Sequence, residues 1–231
     1  HWIKENTGLD TIFSIATRDI NILATQSLVI GSQLLGLDNI LVLKGDEFNK
    51  LELSLVKDVN QAPPTRIIKS IAKMNEGVDY KGLKLRTPTD ICIGATIDLS
   101  RNMDKEIHLT GLKINSGADY FVSQPICDPE QAKTFLERCK EFNQAEFQKP
   151  IFHGVQIVTP ESIPFGNVPN WVLADLKKGR SPIDICMQTL NHYKEFGFRT
   201  FYLIPPILKG GIRDYDTAQA VVDIYKSENL A

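Results

Sequence analysis

Six short apolar runs recur along the chain, each closed by turn chemistry. They are 11–16 (TIFSIA), 40–43 (ILVL), 90–95 (DICIGA), 120–123 (YFVS), 151–157 (IFHGVQI) and 200–204 (TFYLI). Short runs rich in branched and aromatic residues read as strands buried on both faces, as in a parallel sheet. Helical patterns lie between them. Residues 21–35 carry apolar side chains at 22, 23, 28, 30, 34 and 35, and Gly36 follows as a C-terminal cap. Residues 65–74 follow Pro63-Pro64, and 104–115 end at Ser116-Gly117. Residues 128–142 open DPEQ, with Asp128 as N-cap and Pro129 at the first helical position. Residues 170–177 and 182–196 fill the gap before the sixth run, 214–227 close the chain, and 1–6 read as a helix feeding the first strand.

Strand then helix, repeated, means βα units, a parallel sheet and right-handed crossovers. No composition shift or linker divides the chain, so 1–231 is expected to be a single domain. A closed barrel of this class has eight strands. The simplest account of six is an α/β fold, a (β/α)8 TIM barrel whose first two strands are missing from this sequence. The competing account is an open doubly wound sheet, although no GxGxxG follows any strand. Residues 47–64 form a long polar connection, and connections of that length are usually functional or mobile.

Composition and charge narrow the partners. The hydrophobic and charged fractions are those of an ordinary soluble protein, and a net charge of −2 makes no electrostatic case for nucleic acid or an anionic membrane. No apolar run approaches the roughly 20 residues that span a bilayer. The opening HWIKENTGLD is polar and carries no secretory signal, so the expected setting is cytoplasmic. Cys92, Cys127, Cys139 and Cys186 are scattered, which favours buried reduced thiols. His1, His108 and His192 fall on helices without ligand partners at metal spacing, and His153 falls in a strand. No metal site is therefore expected.

In parallel α/β folds the chemistry lies at the carboxyl ends of the strands. Here those ends carry Thr17-Arg18-Asp19, Lys44-Gly45-Asp46, Thr96-Ile97-Asp98, Gln124-Pro125 with Cys127-Asp128, Gln156 with Thr159, and Pro205-Pro206 with Lys209-Gly210-Gly211. This is a face of carboxylates and amides with few nucleophiles. A Gln amide donates and accepts, and a carboxylate accepts from ring N–H groups, so the set suits a nitrogen heterocycle. Plainer readings stand beside these. Asp19 could cap the helix from Asn21, Asp128 caps its own helix, Asp98 could cap a turn, and Lys113 by base rate is a solvated helix lysine. Lys209-Gly210-Gly211 reads equally as an anion-binding loop or a flexible turn. Asp46 and Gln124 resist the plain reading best, because each directly follows an apolar run and has no helix to cap.

Three blocks resemble the methylenetetrahydrofolate reductase family. The first is TRDIN-x4-QS-x8-LGLDNILVLKGD, residues 17–46; the second is NEGVDYKGLKL, 75–85; the third is LKINSGADYFVSQPICD, 112–128. The resemblance implies a (β/α)8 barrel that reduces 5,10-methylenetetrahydrofolate to 5-methyltetrahydrofolate with hydride from NAD(P)H, through FAD or directly. It implies a catalytic, substrate-binding Asp46 beside the reacting rings and a catalytic, substrate-binding Gln124 on the pterin; Gln156, at the end of the fifth strand, is a further expected substrate contact by its position alone. It implies cofactor contacts from Thr17, Lys44, Gly45, Asp46, Ala95 and Lys113. Thr96 and Asp98, expected as further cofactor contacts from their strand-end position, stand in a stretch, Thr96-Ile97-Asp98-Leu99-Ser100, where the family has aromatic and histidine positions near the flavin. The general acid of the family would precede His1. Ser14 stands where flavin-binding members carry a histidine, and Leu112 replaces a basic neighbour of Lys113. The expected partners are a folate and a nicotinamide, with no nucleic acid or membrane, in a homo-oligomer. A folate-dependent methyltransferase or demethylase on the same scaffold, and a non-catalytic barrel subunit, remain alternatives.

Overall fold

A computed structural model of the chain describes residues 1–100, 102–125, 128–166 and 168–229. It divides into two compact units. One holds His1–Ile97 with His108–Val122, and the other Asp98–Ile107 with the chain from Ser123. The six strands follow one another in chain order in the sheet. A doubly wound sheet reverses its order at a switch point, so this is the strand order of a βα barrel. The first strand pairs with the second, the second with the third and the fifth with the sixth, all in parallel.

In the first unit, helix α1 (Trp2–Thr7) leads into β1 (Ile12–Ala16), α2 (Ile22–Leu34) and β2 (Asn39–Leu43). Helices α3 (Glu52–Leu55) and α4 (Pro64–Asn75) precede β3 (Cys92–Ile97), and α5 (Met103–Asn115) precedes β4 (Tyr120–Ser123). The strands register Ile15 on Val42 and Val42 on Ala95. Pro64 suits the first turn of α4, where its missing N–H costs nothing. Ile67, Ile68, Ile71 and Met74 then line one face of α4 at helical spacing and are wholly buried. Each contributes roughly 1.5–3 kcal/mol by leaving water. Asn21 caps α2 through Oδ1, which accepts from Ala24 N at 2.8 Å. Asp19 does not cap it, and pairs with Arg18.

The second unit carries α6 (Pro129–Asn143), β5 (Ile151–Gln156), α7 (Asn170–Lys177), α8 (Pro182–Glu195), β6 (Phe201–Ile204) and α9 (Tyr215–Asn229). Asp128 does cap α6, accepting from Glu130 N at 2.9 Å. Val158, Val172, Leu176 and Ile185 form a core under α7 and α8.

One packing device occurs once in each unit. The Tyr120 hydroxyl donates to the Ile40 carbonyl at 3.1 Å, and its ring covers Gly94, where an added Cβ would lie 2.3 Å from the ring. The Tyr202 hydroxyl donates to the Ser123 carbonyl at 2.9 Å, and its ring covers Gly154 in the same way. In both cases a tyrosine crosses a glycine to reach a strand carbonyl. Burial raises both phenols, Tyr202 to about 12.

Some expected elements are displaced. The third strand runs Cys92–Ile97, not 90–95, because pairing starts where Cys92 N donates to Asp38 O. The two residues before it are bound elsewhere, Asp90 N by Gln33 Oε1 and Ile91 N by Asn75 Oδ1. Ala95 and Thr96 are thus strand residues, and Asp98 is the first residue beyond. The polar connection 47–64 contains α3, whose Asn49 and Glu52 cap each other. Cys139 and Cys186 are buried thiols, whereas Cys92 is exposed at the start of β3. Cys127 lies outside the described residues. No helix among the described residues is long and apolar enough to cross a membrane.

Candidate active site at the strand ends

The end of β2 is built around a glycine. Gly45 has φ +85°, and a Cβ there would lie 3.2 Å from Arg18 Cβ and 3.3 Å from Ala16 Cβ. A left-handed backbone this close to the end of β1 strains any residue with a Cβ and so favours glycine. Lys44, Gly45 and Asp46 line a cavity of about 240 Å³ with Arg18, Phe48, Leu53, Asp58 and Asn60. Asp46 and Lys44 are exposed, and Lys44 approaches Glu47 at 3.8 Å. Arg18 Nη1 donates to the Asp46 carbonyl at 2.7 Å, and the guanidinium lies 3.9 Å from the Phe48 ring centroid. The Arg18 hydrogen bond holds the Asp19 carboxyl below its usual range.

The second unit holds a larger cavity, about 780 Å³. Asp98 and Gln124 face it together. Trp171, Phe165, Pro125 and Pro169 give it apolar and aromatic wall, while Gln131, Gln188 and His192 add polar groups. Asp98 Oδ1 accepts from the Ser100 amide at 3.1 Å and the Ser100 hydroxyl at 2.5 Å, so the carboxylate is held in place. Gln124 is exposed. An aromatic wall with amides and a fixed carboxylate is the chemistry that receives a flat, nitrogen-rich ring.

Gln156 has a different duty. Its Nε2 donates to Ile163 O at 3.0 Å and its Oε1 accepts from Phe165 N at 2.7 Å. Both ends of the amide pin the loop that carries Phe165 to the cavity rim. His153 is packed against Phe198, with ring centroids 4.4 Å apart, as a core histidine. Among the described residues, no three His, Cys, Asp or Glu side chains gather as metal ligands would.

The side chains implied as flavin contacts are a test of that cofactor. Thr17 is 1% exposed, Ala95 0% and Lys113 8%. Lys113 Nζ donates to Thr96 O at 2.6 Å, directed at the end of β3 and not at solvent. The side chains of these three offer little open surface to an isoalloxazine ring or a pyrophosphate, whereas Lys44 and Asp46 are exposed and Gly45, Thr96 and Asp98 half-buried. Lys113 is also no solvated helix lysine.

The sequence did not single out Arg18, Trp171, Gln188 or His192. Arg18 was visible at a strand end but read only as a neighbour of Thr17. The other three lie on helices, where nothing in the pattern marks which face meets a cavity.

An α/β protein with parallel strands in chain order has the scaffold of a βα barrel. The profile of the methylenetetrahydrofolate reductase family matches residues 1–164, and the chain belongs to that family. No curated protein matches it. Among solved structures, it is similar to an uncharacterised protein from Clostridium thermocellum that binds two copies of 5-methyl-5,6,7,8-tetrahydrofolic acid. That likeness has 15% identity and a TM-score of 0.48, over 98% of each chain. A phosphonopyruvate hydrolase in complex with oxalate and Mg²⁺ gives 14% identity and a TM-score of 0.49, over 96% of this chain and 65% of that one. Both are distant likenesses.

Proposed function

We propose that the protein reduces 5,10-methylenetetrahydrofolate to 5-methyltetrahydrofolate, taking hydride directly from NAD(P)H. The observation that carries this reading is the family match over residues 1–164, which includes the strand ends bearing Asp46, Asp98 and Gln124. In that reaction the methylene bridge opens to an iminium at N5, and hydride adds to the exocyclic carbon. Gln124 would hold the pterin edge through its amide, and Trp171 and Phe165 would supply apolar wall to the ring. Asp46, in the first unit, takes from the family resemblance alone the part of offsetting the positive charge that develops as the bridge opens. The burial of Thr17, Ala95 and Lys113 supports direct transfer over a flavin-mediated route.

The test is NADH or NADPH oxidation by the purified protein, with and without methylenetetrahydrofolate, alongside its visible spectrum. Folate-dependent oxidation by a colourless protein is expected. A yellow protein with flavin bands refutes the direct route, and no folate-dependent oxidation with either nicotinamide refutes the reaction.

A further inference from the structure

Arg18, just beyond the end of β1, is braced by its neighbour Asp19 and reaches one segment of the chain at several points. Its Nε donates to Asp19 at 2.6 Å, which fixes the guanidinium plane. Its Nη1 donates to the Asp46 carbonyl at 2.7 Å. Its ring partner, Phe48, stands two residues further on at 3.9 Å. Its own carbonyl accepts from Val59 N at 2.6 Å. Both ends of the segment 46–60 are therefore tied to this one residue. Between those ties the segment has little else to hold it. Leu51, Leu53, Leu55 and Val56 are all exposed, and α3 buries no residue. An unanchored surface segment of this kind would move relative to the strand, taking Asp46 with it.

The geometry points to Arg18 as a positioning residue for Asp46: it latches the 46–60 segment at both ends and so fixes the Asp46 backbone at the end of β2. The inference rests on the proposed reaction only for its effect on turnover; the latch itself is independent of it. Lysine cannot replace the arginine here. A planar fork serves the Asp19 carboxylate, the Asp46 carbonyl and the Phe48 face together, whereas an ammonium on a flexible stem serves one of them at a time.

The test uses wild type, Arg18→Lys, Asp46→Asn and the double variant. Turnover is measured in each, with amide hydrogen exchange followed over residues 46–60. Arg18→Lys is expected to lower kcat about tenfold through misplacement, with the folate KM changed less than about twofold. Exchange over 46–60 is expected to speed up about tenfold while α2 and α4 stay protected. In the Asp46→Asn background, Arg18→Lys is expected to change kcat less than about twofold, because the residue it positions is already gone. Phe48→Leu, which leaves Arg18 in place, is expected to shift exchange in the same direction by less. Unchanged exchange over 46–60 overturns the latch. Faster exchange with an undiminished kcat, or a full loss repeated in the Asp46→Asn background, overturns the positioning role. If wild type itself shows no turnover, the proposed reaction fails on its own, and exchange alone then supports or overturns the latch.

Discussion

His153 makes the stability of this protein sensitive to mild acid. It is 4% exposed, its Nδ1 has no hydrogen-bond partner among the described residues, and Phe198 and Tyr193 flank its ring. Burial lowers its pKa from 6.5 to about 4. A base that protonates less readily when folded takes up a proton on unfolding between those values. Stability from this group is therefore intact above about pH 6.5, falls as pH drops through the window, and is lost below about pH 4. At 1.36 kcal/mol per pH unit, the fall from 6.5 to about 4 amounts to roughly 3 kcal/mol. Carboxylates titrate in the same range, so the assay compares two proteins. Urea unfolding of wild type and of His153→Leu is followed at several pH values from 7 to 4. Wild type is expected to lose roughly 3 kcal/mol more than His153→Leu over that range. Parallel stability profiles for the two proteins would refute the reasoning.

Glycines in two settings predict opposite effects. Gly94→Ala puts a methyl into the Tyr120 ring and is expected to cost about 2 kcal/mol or more. Gly31→Ala, in the interior of α2 with open space at its Cβ, is expected to gain about 0.5–1 kcal/mol; both are read by thermal melting. Gln156→Ala removes both tethers of the loop at 163 and 165, and protease cleavage within that loop is expected to accelerate with little change elsewhere. Gln124→Ala is expected to raise the folate KM strongly while leaving the melting temperature unchanged, since the side chain is exposed.

Much of the scaffold was legible because its signals are local. Branched runs such as Ile40–Leu43 give the strands, Asp128-Pro129 starts α6, and the amphipathic face of α4 follows from Ile67, Ile68, Ile71 and Met74 alone. What escaped depends on partners distant in sequence. The third strand began two residues late because Gln33 and Asn75 capture Asp90 and Ile91 first. Helix α3 is too short for periodicity, although Asn49 and Glu52 stand at the spacing of a capping pair. Lys113 looked like a solvated lysine because nothing in its own helix announces the Thr96 carbonyl. Strand-end position is what made Asp46, Asp98 and Gln124 candidates; Asp98 and Gln124 line one cavity and Asp46 another. Gln156 also stood at a strand end, yet its amide serves the loop, a distinction that only its two backbone partners reveal.

Hydride from NAD(P)H deuterated at C4 tests the central claim most directly. In direct transfer the deuterium passes from nicotinamide carbon to folate carbon without meeting solvent. The 5-methyltetrahydrofolate formed is expected to carry one deuterium in its methyl group, read by mass spectrometry. A flavin carrier would hold the hydride at a nitrogen that exchanges with water. Unlabelled 5-methyltetrahydrofolate, with deuterium tried on each C4 face, would contradict direct transfer, and the absence of any 5-methyltetrahydrofolate would contradict the reaction itself.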